Sequence, residues 1–241
     1  APVRGHLGRP QGRGGGPGGR ATIAALHHRD RVIAPGVEVG RVHGNPFRDA
    51  IDGLGQAAGC THALLWVPDC GAWVFGDPVV AVQEAAARMA PWVDVDELAT
   101  GAVLRVPPAK ASSLYQASRA ATYLALSPRP PLRQGAVLVL EAEMPEGLGS
   151  EAGFRAALQE RRPPWSSLLR GRPPQGPGAQ RAVMLALLAR RYRLMIAGCQ
   201  SPETFVRVGI SATDAPAVPE PGWLDVVDPF HRLPQLAPCR G

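Results

Sequence analysis

Apolar positions follow two periods along this chain. Short, nearly unbroken apolar runs fit buried strands: HALLWV at 62–67, AWVF at 72–75, GAVLRV at 101–106, AVLVLEA at 136–142, RLMIAG at 193–198 and, as the last strand, WLDVV at 223–227. The short Pro68–Gly71 link joins the first two as a hairpin. Between the runs, apolar residues recur three or four apart behind helix-start signals. Asn45-Pro46 opens a helix to Gly59, and Asp77-Pro78 opens one to about Ala90. In each, a short polar side chain accepts orphan amides and proline suits the first turn. Ser112 or Ser113 opens a helix to about Leu126, Ser150 caps EAGFRAALQERR, Gln180–Arg191 is amphipathic, and Ser201-Pro202 opens a short helix. ATIAALHHR, 21–29, reads as a short helix carrying adjacent His27 and His28. From 101 onward the order is β-α-β-α-α-β-α-β, which predicts a largely parallel sheet covered by helices. The expected fold is α/β, with a small, incomplete α/β region over 1–94 and a carboxy-terminal α/β domain over 95–241.

Composition changes this picture little. The 241 residues include 28 glycines and 26 prolines, clustered at 10–19, 128–135, 163–178 and 215–222, where they mark loops and linkers. Net charge is +6, from 25 arginines and one lysine, Lys110. The arginines are scattered, which fits the codon bias of a GC-rich genome and argues against a nucleic-acid partner. Any lysine-dependent step must use Lys110. None of Cys60, Cys70, Cys199 and Cys239 forms a C-x-x-C pair, so zinc is not expected. There is no secretory segment and no run long enough to span a bilayer, so a cytoplasmic chain with reduced thiols and no membrane partner is expected. Gly14-x-Gly16-x-x-Gly19 matches a dinucleotide fingerprint in form, and a weak nucleotide-binding reading goes with it. No strand precedes it, and a flexible segment is the plainer reading.

Candidate chemistry gathers in 103–149. In open α/β sheets, ligands bind beyond the carboxyl ends of the strands, which here points to Lys110, Tyr115, Gln116, Arg119 and Glu143. Tyr115 and Arg119 are four apart and share a helix face near its start, where anions are favoured and arginine grips a carboxylate with two bonds. The plainer alternative packs Tyr115 and solvates Arg119. Lys110 reads as a loop lysine, a phosphate binder or a charge facing the cleft. Glu143 and Glu146 either orient other groups or are solvated loop carboxylates.

LYQASRAA followed by AVLVLEAEMPEGLG resembles the carboxy-terminal domain of the lactate racemase family that uses a nickel-pincer nucleotide. GGRATIAALHH, GVEVGRVHGNPFRDAID and VFGDPVVAVQEAA resemble further family segments in the same order, so the likeness spans roughly 12–215. It implies a racemase or epimerase of small 2-hydroxy acids such as lactate. The cofactor's pincer ring accepts the α-hydrogen as hydride and returns it to either face, while histidines handle the hydroxyl proton. By position, His27 corresponds to the nickel ligand. His28 points about 100° further round a helix. Tyr115 and Gln116 match active-site positions.

Four departures accompany the resemblance. Arg119 stands where the family has lysine; charge survives, but the two side chains are not equivalent. The segment that holds the family's tether lysine is GRGGGPG here, its nearest equivalent Arg13, and arginine cannot form the same thioamide. His6 is the candidate for the upstream acid/base histidine, with short spacing to Arg13. The family's further amino-terminal region has no counterpart, and a separate chain would have to supply it. The alternative function is a truncated or degenerate, non-catalytic homologue acting as a binding module.

Overall fold

A computed structural model of the chain describes residue 22 and residues 25–89, 92–160 and 165–238. The fold is α/β, in two compact units, Ala1–Pro91 and Trp92–Gly241.

In the first unit, β1 (Ala63–Val67) and β2 (Ala72–Gly76) form the expected antiparallel hairpin, with Val67 opposite Ala72. Gly71 closes the turn at φ +59°, a conformation that glycine adopts without penalty. Alternation does the rest: Leu65, Val67 and Val74 face the helix Pro78–Arg88 and pack with its Ala81, Val82 and Ala85. The other face leaves Leu64, Trp66, Trp73 and Phe75 exposed. Asp77 caps this helix, its carboxylate accepting from the Val79 and Val80 amides at 2.9 and 3.1 Å. Asn45 caps the helix Pro46–Ala57 in the same way, at 3.1 and 3.3 Å.

ATIAALHHR is not one helix. Leu26 is helical, His27 lies in a turn, and His28 adopts extended backbone (ψ 143°) as N-cap of a new four-residue helix, Arg29–Val32. The His28 ring accepts from the Asp30 amide at 3.4 Å. This local bond competes with helix continuation.

The second unit holds a five-stranded, wholly parallel sheet in the order β7-β6-β5-β4-β8. Its strands are β4 (Ala99–Arg105), β5 (Leu132–Glu141), β6 (Arg193–Ala197), β7 (Ser211–Ala212) and β8 (Trp223–Val227). Ala102, Val103 and Leu104 of β4 are wholly buried, as a central strand covered on both faces requires. The helices Leu114–Ala125, Ala152–Gln159 and Ala179–Ala189 belong to this unit, and the third packs against the other two.

Several boundaries differ from the sequence pattern. Strand β5 begins at Leu132, ahead of its apolar stretch: Leu132 pairs with Ala99, the register then shifts past the exposed Arg133, Gln134 and Gly135, and pairing resumes at Val137. WLDVV is followed by β9 (Leu233–Leu236), which pairs in parallel with β3 (Trp92–Val95). Ser150 does not cap: Glu151 takes the N-cap position without a side-chain bond, and the helix stops at Gln159. Ser113 and Ser201 are N-caps by position only. No described helix is long and apolar enough to cross a membrane.

Candidate functional site

The loops after β4 and β5 run side by side and hold the start of the Leu114–Ala125 helix. Met144 donates its amide to Ala111 O (2.9 Å) and Glu146 to Ser112 O (2.9 Å); in return Leu114 donates to Gly147 O (2.8 Å) and Tyr115 to Leu148 O (3.3 Å). The amides that a helix start offers to an anion are therefore already spent: those of Gln116 and Ala117 donate to Ser113 O. An anion here must be held by side chains. The strap carries its own strain, because buried Met144 sits at φ +48°; such conformations cost about 1–3 kcal/mol and persist where the surroundings enforce them.

Tyr115 is pinned by two glycines. A Cβ on Gly149 (φ +104°) would stand 3.1 Å from Tyr115 Cβ and from Ser113 Oγ, and one on Gly178 (φ +79°) would stand 2.9 Å from Tyr115 Cε2. The Tyr115 ring meets Phe154 edge-on at 5.4 Å. Arg119 lies over the same ring, its Cζ 5.4 Å from the centroid, as the i, i+4 spacing predicts. Tyr115, Gln116 and Arg119 are all half-buried.

Arg181 joins this group from the Ala179–Ala189 helix. Its Nη1 donates to Thr122 Oγ1 at 2.9 Å, while its Nε is sealed from solvent with no partner. Burial lowers its guanidinium to about 10; the tyrosines at 123 and 115 oppose that fall and the positive charge of Arg119 adds to it. No carboxylate among the described residues pairs with Arg119 or Arg181. The sequence does not single out Arg181, yet a signal exists: it is four and seven residues before Leu185 and Leu188, on the inward stripe.

A separate cleft of about 450 Å³ opens at the carboxyl ends of β4, β5 and β6, lined by Arg105, Ser112, Glu141, Glu143 and Gly198 among others. Arg105 spans three strands here. It donates to both oxygens of Asp225 on β8, at 2.7 and 2.9 Å, and to Glu141 on β5. The Asp225 hydrogen bonds, with the nearby Glu141 charge, hold the Arg105 guanidinium above its ordinary value against a smaller effect of burial. The structure thus divides the residues predicted for one cleft. Glu143 lines it, whereas Tyr115, Gln116, Arg119 and Lys110 are not among its lining residues. Cys199, near the cleft, is buried; burial pushes its thiol up and its Sγ donates to Thr213 O, so it is not poised as a nucleophile.

His6, Arg13 and the Gly14–Gly19 motif lie outside the described residues. His27, in the first unit, is half-buried and meets Phe47 edge-on at 5.5 Å. Among the described residues, no three His, Cys, Asp or Glu side chains gather to hold a metal ion. A thioamide tether needs a lysine: GRGGGPG contains Arg13 and none, and Lys110 is the one lysine of the sequence. Arg13 does not fit a covalently tethered pincer group.

No protein-family model and no curated protein matches the chain. Solved structures do. The lactate racemase apoprotein of Thermoanaerobacterium thermosaccharolyticum superposes with a TM-score of 0.73 at 16% identity, covering 89% of this chain and 55% of that one. A protein of Thermotoga maritima superposes with a TM-score of 0.58 at 10% identity, covering 80% of this chain and 54% of that one. The chain spans about half the length of both structures. At these identities the likeness establishes a shared fold.

Proposed function

We propose that this chain is a lactate-racemase-like protein whose second unit binds a small 2-hydroxy acid. The observation that carries the reading is Arg119 stacked on Tyr115, without a carboxylate partner, at the helix start gripped by the EMPEGLG strap. Arg119 pairs with the substrate carboxylate. Tyr115 and Gln116 offer a hydroxyl and an amide to the substrate's carboxylate and hydroxyl oxygens. Because these side chains are half-buried, their bonds to a charged ligand are stronger than in open water. The LYQASRAA and AVLVLEAEMPEGLG segments and the shared fold support the same assignment.

Inverting a hydroxyl-bearing carbon requires a group that takes up its hydrogen and returns it to either face. In the family that the motifs resemble, this is the nickel-pincer nucleotide, whose covalent form the residues of this chain do not fit. Arg13 at the tether position and Arg119 in place of lysine favour a second reading, a module that binds the acid without turning it over. Chiral chromatography of L-lactate incubated with the purified full chain, with nickel quantified in the same sample, separates the two. D-lactate above the blank supports isomerase activity. Bound L-lactate without D-lactate supports the binding module, and neither binding nor inversion overturns both.

A further inference from the structure

Arg181 differs from the ion-paired arginines among the described residues. Arg48 pairs with Asp52, Arg88 with Glu84, and Arg105 with Asp225 and Glu141. Arg181 has a sealed, unpartnered Nε and a single bond, to the neutral hydroxyl of Thr122; that hydroxyl in turn donates to Arg119 O, so a second cation springs from the same turn of the facing helix. A buried cation without a counter-charge is costly, and a cation pair more so. A bound anion relieves both costs. Arg181 is half-buried rather than wholly enclosed, so part of the side chain remains open to a ligand.

We propose that Arg181 and Arg119 together form an oxyanion receptor, and that the preferred ligand is a small organic dianion, a 2-hydroxy acid bearing a second acidic group. The proposal rests on the 2-hydroxy-acid reading above and names its substrate class. One monocarboxylate leaves a net positive charge between two guanidiniums, whereas a dianion neutralises both. Tyr115 adds a hydroxyl group beside Arg119, the buried Thr122 hydroxyl holds Arg181, and among the described residues no acidic side chain pairs with either guanidinium. Arginine suits this task because its planar fork meets carboxylate oxygens pairwise.

The test is calorimetric titration of the full chain with L-lactate, L-malate and succinate at matched ionic strength. The expected result is malate binding at least tenfold tighter than lactate, and a preference reduced to near unity in Arg181→Gln. Arg181→Lys should retain part of the preference, and Arg193→Gln, which removes an exposed charge of β6, should retain all of it. Malate binding no tighter than lactate overturns the receptor and leaves the 2-hydroxy-acid reading standing. Succinate and malate binding equally, through Arg181, with no lactate binding, sustains the receptor and overturns the 2-hydroxy-acid reading. An equal loss of preference in Arg193→Gln attributes it to overall charge and overturns the receptor.

Discussion

Replacing Arg181 with methionine should make the ligand-free chain more stable. Burial lowers the guanidinium well below its ordinary value, to about 10. At about 1.4 kcal/mol per pH unit, holding the side chain charged costs the fold about 3 kcal/mol at neutral pH. Methionine keeps an apolar stem and removes the charge, giving up the 2.9 Å bond to Thr122, worth about 1 kcal/mol. Thr122 is not orphaned, because its hydroxyl still donates to Arg119 O at 3.1 Å. The balance is a gain of about 1–2 kcal/mol, within the range for replacing buried charge by apolar side chains. The sign with pH follows. Below about pH 10 both folded and unfolded chains carry the proton and the cost is complete. As pH rises through 10 the folded chain loses its proton first, so the parent gains stability and the advantage of Arg181→Met shrinks. Urea unfolding at pH 7 and pH 10.5, in low-anion buffer, reads both effects. A variant less stable than the parent at pH 7, or an advantage that grows with pH, refutes the reasoning.

Gly101→Ala should destabilise the second unit by about 1–2 kcal/mol. The added Cβ would stand 2.4 Å from Trp223 Cε2, an overpacking cost of roughly 1–3 kcal/mol that outweighs the gain of up to about 1 kcal/mol from a less flexible unfolded chain. Urea melts should show it, with a shifted tryptophan emission; equal stability contradicts it. Asp77→Ala should cost about 1 kcal/mol in the first unit, since two amides lose their acceptor. Hydrogen exchange at Val79 and Val80 checks this, and unchanged protection counts against the cap.

Much of the second unit is legible in the sequence because its strands are apolar on both faces and its helices separate them in regular order. AVLVLEA and GAVLRV read as buried strands of a parallel sheet, and the structure pairs them in parallel. Strands β3 and β9 escape notice because WVDV and LPQL are short and mixed, and only their mutual pairing makes them strands. The split at His27 and His28 escapes for another reason: a histidine ring that accepts a backbone amide is a local choice that periodicity does not encode. At the candidate site, the i, i+4 relation of Tyr115 and Arg119 is readable from spacing. The strap over the helix amides and the arrival of Arg181 are not, because both depend on chain segments tens of residues away. Arg105 shows the same limit: its partners are 36 and 120 positions distant.

The central claim is that the 114–125 helix presents a carboxylate site for a 2-hydroxy acid, and a titration followed at individual residues tests it most directly. L-lactate is added to isotopically labelled full chain while amide and arginine Nε–H signals are recorded. The account predicts saturable shifts at Tyr115, Gln116 and the Arg119 side chain, with binding weakened at least tenfold in Arg119→Gln. Saturable shifts confined to the cleft around Glu141, Glu143 and Gly198, with Arg119→Gln binding as well as the parent, would contradict it.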